Sequence, residues 1–154
     1  MNRHDDRAVT MWVLLGIVYY AMEGAFHILT NGGWAWVGML PIGGLCGLLI
    51  GRINQIPAFY RRAMWLQCLA GAAAILAVEF ASGCVVNLWW GWGIWDYSHI
   101  WGNAFGQICL PFAAIWYLLT PTAIWLEDAL RWHIWGEGDY YTLRKLYAQL
   151  FTGR

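Results

Sequence analysis

The sequence predicts an all-α polytopic membrane protein, a four-transmembrane-helix bundle with a tryptophan-rich outer loop and a C-terminal amphipathic helix. Three observations carry that expectation. The chain is 60% apolar and only 12% charged, too greasy for a soluble domain of its length. Four apolar runs, at about 8–30, 34–51, 63–86 and 104–126, approach the ~20 residues that cross a bilayer at ~1.5 Å each. Finally, a four-span topology collects all nine basic residues on one side: Arg3, Arg7, Arg52, Arg61, Arg62, Arg131, Arg144, Lys145 and Arg154. Three or five spans would break that segregation.

The first run begins after the charged stretch Arg3 to Arg7 and has no A-x-A-like cleavage site, so it is expected to remain as a helix. None of the runs alternates as a barrel strand would, and helices satisfy their own backbone in hydrocarbon. The second run carries Gly38, Pro41, Gly43, Gly44, Gly47 and Gly51, and is expected to be kinked, packed very closely or partly unwound. Between the third and fourth runs, Asn87 to Asn103 contains Trp89, Trp90, Trp92, Trp95 and Trp101, one acid and no Lys or Arg. That composition suits a loop at the membrane interface, and the positive-inside rule places it outside with both termini in the cytoplasm.

After Leu126 the charge becomes mixed, with Glu127, Asp128, Arg131, Glu137 and Asp139, and Gly136 marks a break. Beyond it Leu143, Leu146, Tyr147, Leu150 and Phe151 recur at helical spacing, giving an amphipathic helix over about 138–151. It is expected to lie on the inner leaflet, or in a partner-protein groove. Without an internal repeat, residues 1–154 read as a single membrane domain.

The polar groups inside the spans are the candidate site. Glu23 and Glu79 fall at similar depth in the outer half, because the first and third spans run the same way. His27 follows Glu23 by one turn, and Ser82 lies on the face of Glu79. Asn103 and Gln107, at the start of the fourth span, reach the same level, with Asp96, Tyr97, Ser98 and His99 above it. A carboxylate facing lipid there is costly, so both glutamates are expected to face the bundle interior or a wet cavity. Burial and mutual repulsion favour a shared or retained proton, unless His27 or a bound cation neutralises the pair. The plainer alternative is that these acids fasten helices together through Ser82, His27, Tyr20 or Gln107. No HExxH or second histidine completes a metal site around Glu23 and His27, so neither metal nor cofactor is expected. Cys46, Cys68, Cys84 and Cys109 lack CxxC spacing and read as packing residues. The scattered basic residues argue against nucleic acid as a partner.

The run Trp95-Asp96-Tyr97-Ser98, followed by Asn103, Gly106, Ile108-Cys109-Leu110 and Trp116, resembles the W-D-Y-S signature of a bacterial integral membrane family. That family is labelled Putative ABC-transporter type IV, or CmpB-like. Val78-Glu79-Phe80-Ala81-Ser82 is similar to its L-E-Y-x-x-S motif, Glu23 to the acid of its first helix, and Gly33 to Gly44 to its glycine-rich region. The resemblance covers about residues 16–117. At two positions this chain departs: Asn31-Gly32-Gly33 stands where the family has N-R-G, and Gly106-Gln107-Ile108 where it has G-R-I. Both changes remove an arginine from the outer polar level. The label implies a permease of the bacterial inner (cytoplasmic) membrane. No Walker A motif is present in this chain, so an ATPase would be a separate subunit.

Three functions remain open on the residues alone. The first is a small permease-like or ligand-binding protein using Glu23, Glu79 and Asp96, which predicts a homo-oligomer because four spans make a thin pathway. The second is an accessory subunit of a larger membrane complex. The third is an outer-leaflet enzyme with one glutamate as general acid, and for it no catalytic residue is assigned.

Overall fold

A computed structural model describes residues 3–153. It is all-helical: among the described residues there is no β-strand, only an isolated antiparallel bridge between Ala104 and Ile108. The elements in order are α1 (Arg3–Asn31), α2 (Met39–Asn54), the short α3 (Pro57–Tyr60), α4 (Met64–Gly83), a π-helical turn (Cys84–Trp89), α5 (Leu110–Trp135) and α6 (Leu143–Thr152). Between Leu48 and Leu49, inside α2, the chain divides into two compact units.

In the first unit, α1 packs against the start of α2. The Trp12 indole donates to the Pro41 carbonyl at 3.2 Å, and Tyr20 meets Trp34 edge to face at 5.9 Å. The second run is helical only from Met39, with residues 34–38 outside the helix, and from Met39 to Asn54 the helix is unbroken, so its glycines do not unwind it. A Cβ on Gly47 would stand 2.7 Å from Leu15, so glycine there sets how closely α1 approaches.

The second unit is built on α4 and α5, which run antiparallel. The buried residues of α4 are Met64, Gln67, Cys68, Gly71, Ala72, Ile75, Glu79 and Gly83, a stripe at three- and four-residue intervals. Its small members let α5 come close: a Cβ on Gly71 would stand 2.5 Å from Thr120. Such a small-residue face brings the two backbones close enough for dispersion contacts along their length. Pro121 lies within α5 and lacks a donor, while Thr120 beside it bonds back to the Trp116 carbonyl at 2.8 Å. Gly136 closes α5 in the left-handed conformation, at the break expected from sequence.

Two helices, Asp6–Thr30 and Met64–Trp89, are long and apolar enough to cross a membrane. With 16 residues α2 is apolar but short, about 24 Å. The fourth apolar run starts later than expected, since residues 104–109 are not helical and α5 begins at Leu110. The cause is backbone geometry. Phe105 and Gly106 both have positive φ, 51° and 69°, which no right-handed helix accommodates. The tail helix is likewise shorter than expected, and it docks on its own chain. Leu146 is buried, and Tyr147 donates to the Leu118 carbonyl at 2.9 Å while Thr122 donates to Tyr147 at 2.9 Å. Phe151 remains exposed.

Candidate functional site

At the loop end of α4 the helix widens into the π turn, and this places Asn87 beneath the tryptophan-rich segment. Asn87 works in three directions. Its amide donates to the Trp95 carbonyl at 3.0 Å and to Gln107 Oε1 at 2.8 Å, and its oxygen accepts the Ile94 N–H at 2.7 Å. Gln107 is buried and also donates to the Phe105 carbonyl at 2.9 Å. The Trp95 indole donates to the Gln107 carbonyl at 3.1 Å. Gln107 is thus an internal fastener of the loop.

Asp96 sits at the surface of this loop and accepts from the Ser98 N–H at 2.8 Å and the Ser98 hydroxyl at 3.0 Å. These bonds hold its carboxyl below the usual carboxylate range. Asn103 donates to the carbonyls of Ser98 and Ile100 at 3.1 and 2.9 Å and accepts the Gly106 N–H at 3.2 Å. Tyr97 donates its N–H to the Gly106 carbonyl and stacks its ring on Phe112 at 4.9 Å. A Cβ on Gly106 would lie 2.6 Å from Asp96 Oδ1, which with its positive φ makes glycine the fitting residue there. Trp89, Trp101 and Phe105 stand out from the loop at 79%, 77% and 78% exposure.

The predicted site residues therefore fall into three groups. Asp96, Tyr97, Ser98, Asn103 and Gln107 are brought together as one folded loop. Glu79 is buried on α4, one turn before Gly83, whose Cβ position faces Gln107 at 2.5 Å. Ser82 bonds within its own helix, to the carbonyls of Val78 and Glu79 at 2.7 and 3.1 Å. Glu23 and His27 lie in the first unit and pair with each other at 3.5 Å, both largely covered. All four cysteines are free thiols.

A second polar cluster, at the opposite or charged end of α4 and α5, was not singled out from sequence. Glu127 is 1% exposed and accepts from Arg131, which also reaches Glu137 at 3.5 Å. With its oxygen turned to the guanidinium, the Gln55 amide accepts from Arg131 Nε and Nη2 at 2.8 and 2.7 Å. Glu127 Oε2 has no hydrogen-bond partner among the described residues. Burial pushes the Glu127 carboxyl up to about 7 against the opposing pull of Arg131. Next to it, Asp128 accepts from Asn54 at 3.2 and 3.0 Å and from the Tyr141 hydroxyl. Burial and the Asp128 carboxylate raise the Tyr141 phenol above its ordinary range. The sequence signal was the i,i+4 pair Glu127 and Arg131 just past an apolar run, which reads equally well as a solvated helix face.

A cavity of 680 Å³ opens beside this cluster, walled by α4, α5, α6 and the segment from Gly138 to Tyr141.

Residues 8–143 match the family model described as Putative ABC-transporter type IV. The match spans both polar clusters. No curated protein and no solved structure matches the chain.

Proposed function

Because the chain belongs to the Putative ABC-transporter type IV family, we propose that it is a permease-like, ligand-binding subunit of the bacterial inner membrane. In this reading α1, α2, α4 and α5 each cross the bilayer, with both termini cytoplasmic and the tryptophan-rich loop outside. The positive-inside distribution supports that orientation. The short α2 crosses by local thinning of the bilayer, and α5 crosses with its charged second half at the inner surface.

The observation that carries the functional reading is Glu79. It is an acid at 9% exposure in the apolar segment Met64–Trp89, one turn from a loop whose polar groups are tied down. An ionisable group at that position is expensive in a membrane and is characteristic of ligand or ion pathways. The Glu23–His27 pair of the first unit is one acidic group of this reading, and Glu79 forms an acidic site in the outer half of the bundle for a proton, a cation or a polar head group. Ser82, Asp96, Tyr97, Ser98, Asn103 and Gln107 shape and cover it. A separate ATPase subunit supplies the energy for transport, and a homo-oligomer completes the pathway that one bundle is too thin to provide.

Reconstitution into liposomes tests this. Proton or monovalent-cation flux, or retention of a polar-headed ligand, is expected from the wild type and is lost in Glu79→Gln with the helical content intact. Wild-type activity that Glu79→Gln leaves unchanged would contradict the acidic site.

A further inference from the structure

We infer that the 680 Å³ cavity at the charged end is a binding site for a phosphate group, separate from the acidic site of the proposed function. Arg61, Arg62 and Lys145 come to its wall from two distant parts of the chain, the turn before α4 and the first turn of α6. None of the three has a carboxylate within ion-pair distance among the described residues. Arg131, close by on α5, has two.

The wall contains two acids, Asp128 and Asp139. Asp128 is already committed to Asn54 and Tyr141. Three cations thus face one uncommitted carboxylate. The arginines are held by their Nε ends, Arg61 toward the Tyr60 hydroxyl at 3.4 Å and Arg62 on the Ala58 carbonyl at 3.3 Å. Their terminal NH₂ groups are left for a ligand. Lys145 lies 5.8 Å from the Tyr141 ring centroid, which places its ammonium beside the phenol that bonds Asp128.

Two forked guanidinium groups and a point ammonium around a roomy opening suit a tetrahedral oxyanion better than a planar carboxylate. The same group occurs in the headgroup of an anionic phospholipid and in soluble phosphates. On the topology proposed above, the cavity lies at the inner surface, where a basic pocket between helices meets lipid headgroups.

The test uses the full chain purified in detergent, with inorganic phosphate as one probe. Nanodiscs of phosphatidylglycerol or of phosphatidylcholine are the second. The wild type is expected to retain phosphatidylglycerol over phosphatidylcholine, and Arg61→Gln/Arg62→Gln to weaken that retention roughly tenfold or more. Arg61→Lys/Arg62→Lys keeps the charge without the fork and should fall between them. Asp139→Asn, which removes a competing carboxylate, should bind at least as tightly as the wild type. If inorganic phosphate stabilises the wild type but not the double variant and lipid retention shows no preference, the site is for a soluble phosphate. The proposal is overturned if neither probe distinguishes the wild type from the double variant when both melt at the same temperature without ligand. Failure of the flux experiment on Glu79 would leave this result untouched.

Discussion

At the loop end of α4 and α5, polar side chains close mainly on the backbone of one continuous segment, whereas at the charged end they close on one another across three. Asn87, Trp95, Asn103 and Gln107 satisfy carbonyls and N–H groups between Asn87 and Gln107. At the other end Asn54 and Gln55 leave α2 to meet Asp128 and Arg131 on α5, and Tyr141 arrives from beyond Gly136. The two ends hold their acids differently. Asp96 lies in the open with two donors on it and favours its charged form. Glu127 is enclosed, with one oxygen unpartnered, and favours its neutral form. Donors and dielectric set these opposite preferences, since the two side chains differ by a single methylene.

The sharpest way to break this contrast is Arg131→Ala. Above about pH 8, where wild-type Glu127 is ionised, it strands that buried charge and is expected to cost about 3–5 kcal/mol in unfolding experiments. Removing both charges with Glu127→Gln/Arg131→Gln should cost clearly less than Arg131→Ala alone, because no uncompensated charge remains. If the single variant were the milder one, the pair would not be coupled as described.

The pH dependence of stability comes next. Glu127 is raised in the folded chain, so its contribution is fully present below the ordinary glutamate value of 4.5. It is lost as pH rises through about 7. Over that window the loss is on the order of 3 kcal/mol. Glu127→Gln should flatten this part of the curve. A wild type that gains stability between pH 5 and pH 8, relative to Glu127→Gln, would have the sign wrong.

Asn87→Ala is the corresponding test at the loop end. It removes three hydrogen bonds, and a cost of about 2 kcal/mol is expected. The better readout is local. Hydrogen exchange of the Ile94 amide should accelerate, while amides in the interior of α6 keep their protection. Uniform acceleration would mean that the loop is not a separately fastened element.

Much of this was legible from residue order. Helices follow from long apolar runs, Gly136 marks a stop, and the amphipathic tail announces itself through Leu143, Leu146 and Tyr147. The start of α5 was not legible, because Phe105 and Ile108 look like the beginning of an apolar helix and nothing in their side chains announces a left-handed backbone at Phe105. The glycines of α2 left kinking, close packing and partial unwinding open, and it is the position of Leu15 that shows the close packing at Gly47. Within the candidate site, the motif around Asp96 was visible, but Asn87 was not, because its importance comes from the π turn that aims it. The cluster at Glu127 was hidden for another reason. Asn54 is 74 residues from Asp128, and periodicity carries no information about partners at that range.

The proposed topology puts the two ends on opposite sides of a membrane, and labelling tests that directly. In a chain whose four native cysteines are replaced, single cysteines are introduced by Asp96→Cys at the loop and Asp139→Cys beside the charged cavity. An impermeant thiol reagent applied to intact cells is expected to label the first at once and the second only after the membrane is opened. Labelling of both positions from the same side would contradict the four-crossing arrangement and, with it, the assignment of the two ends to opposite faces.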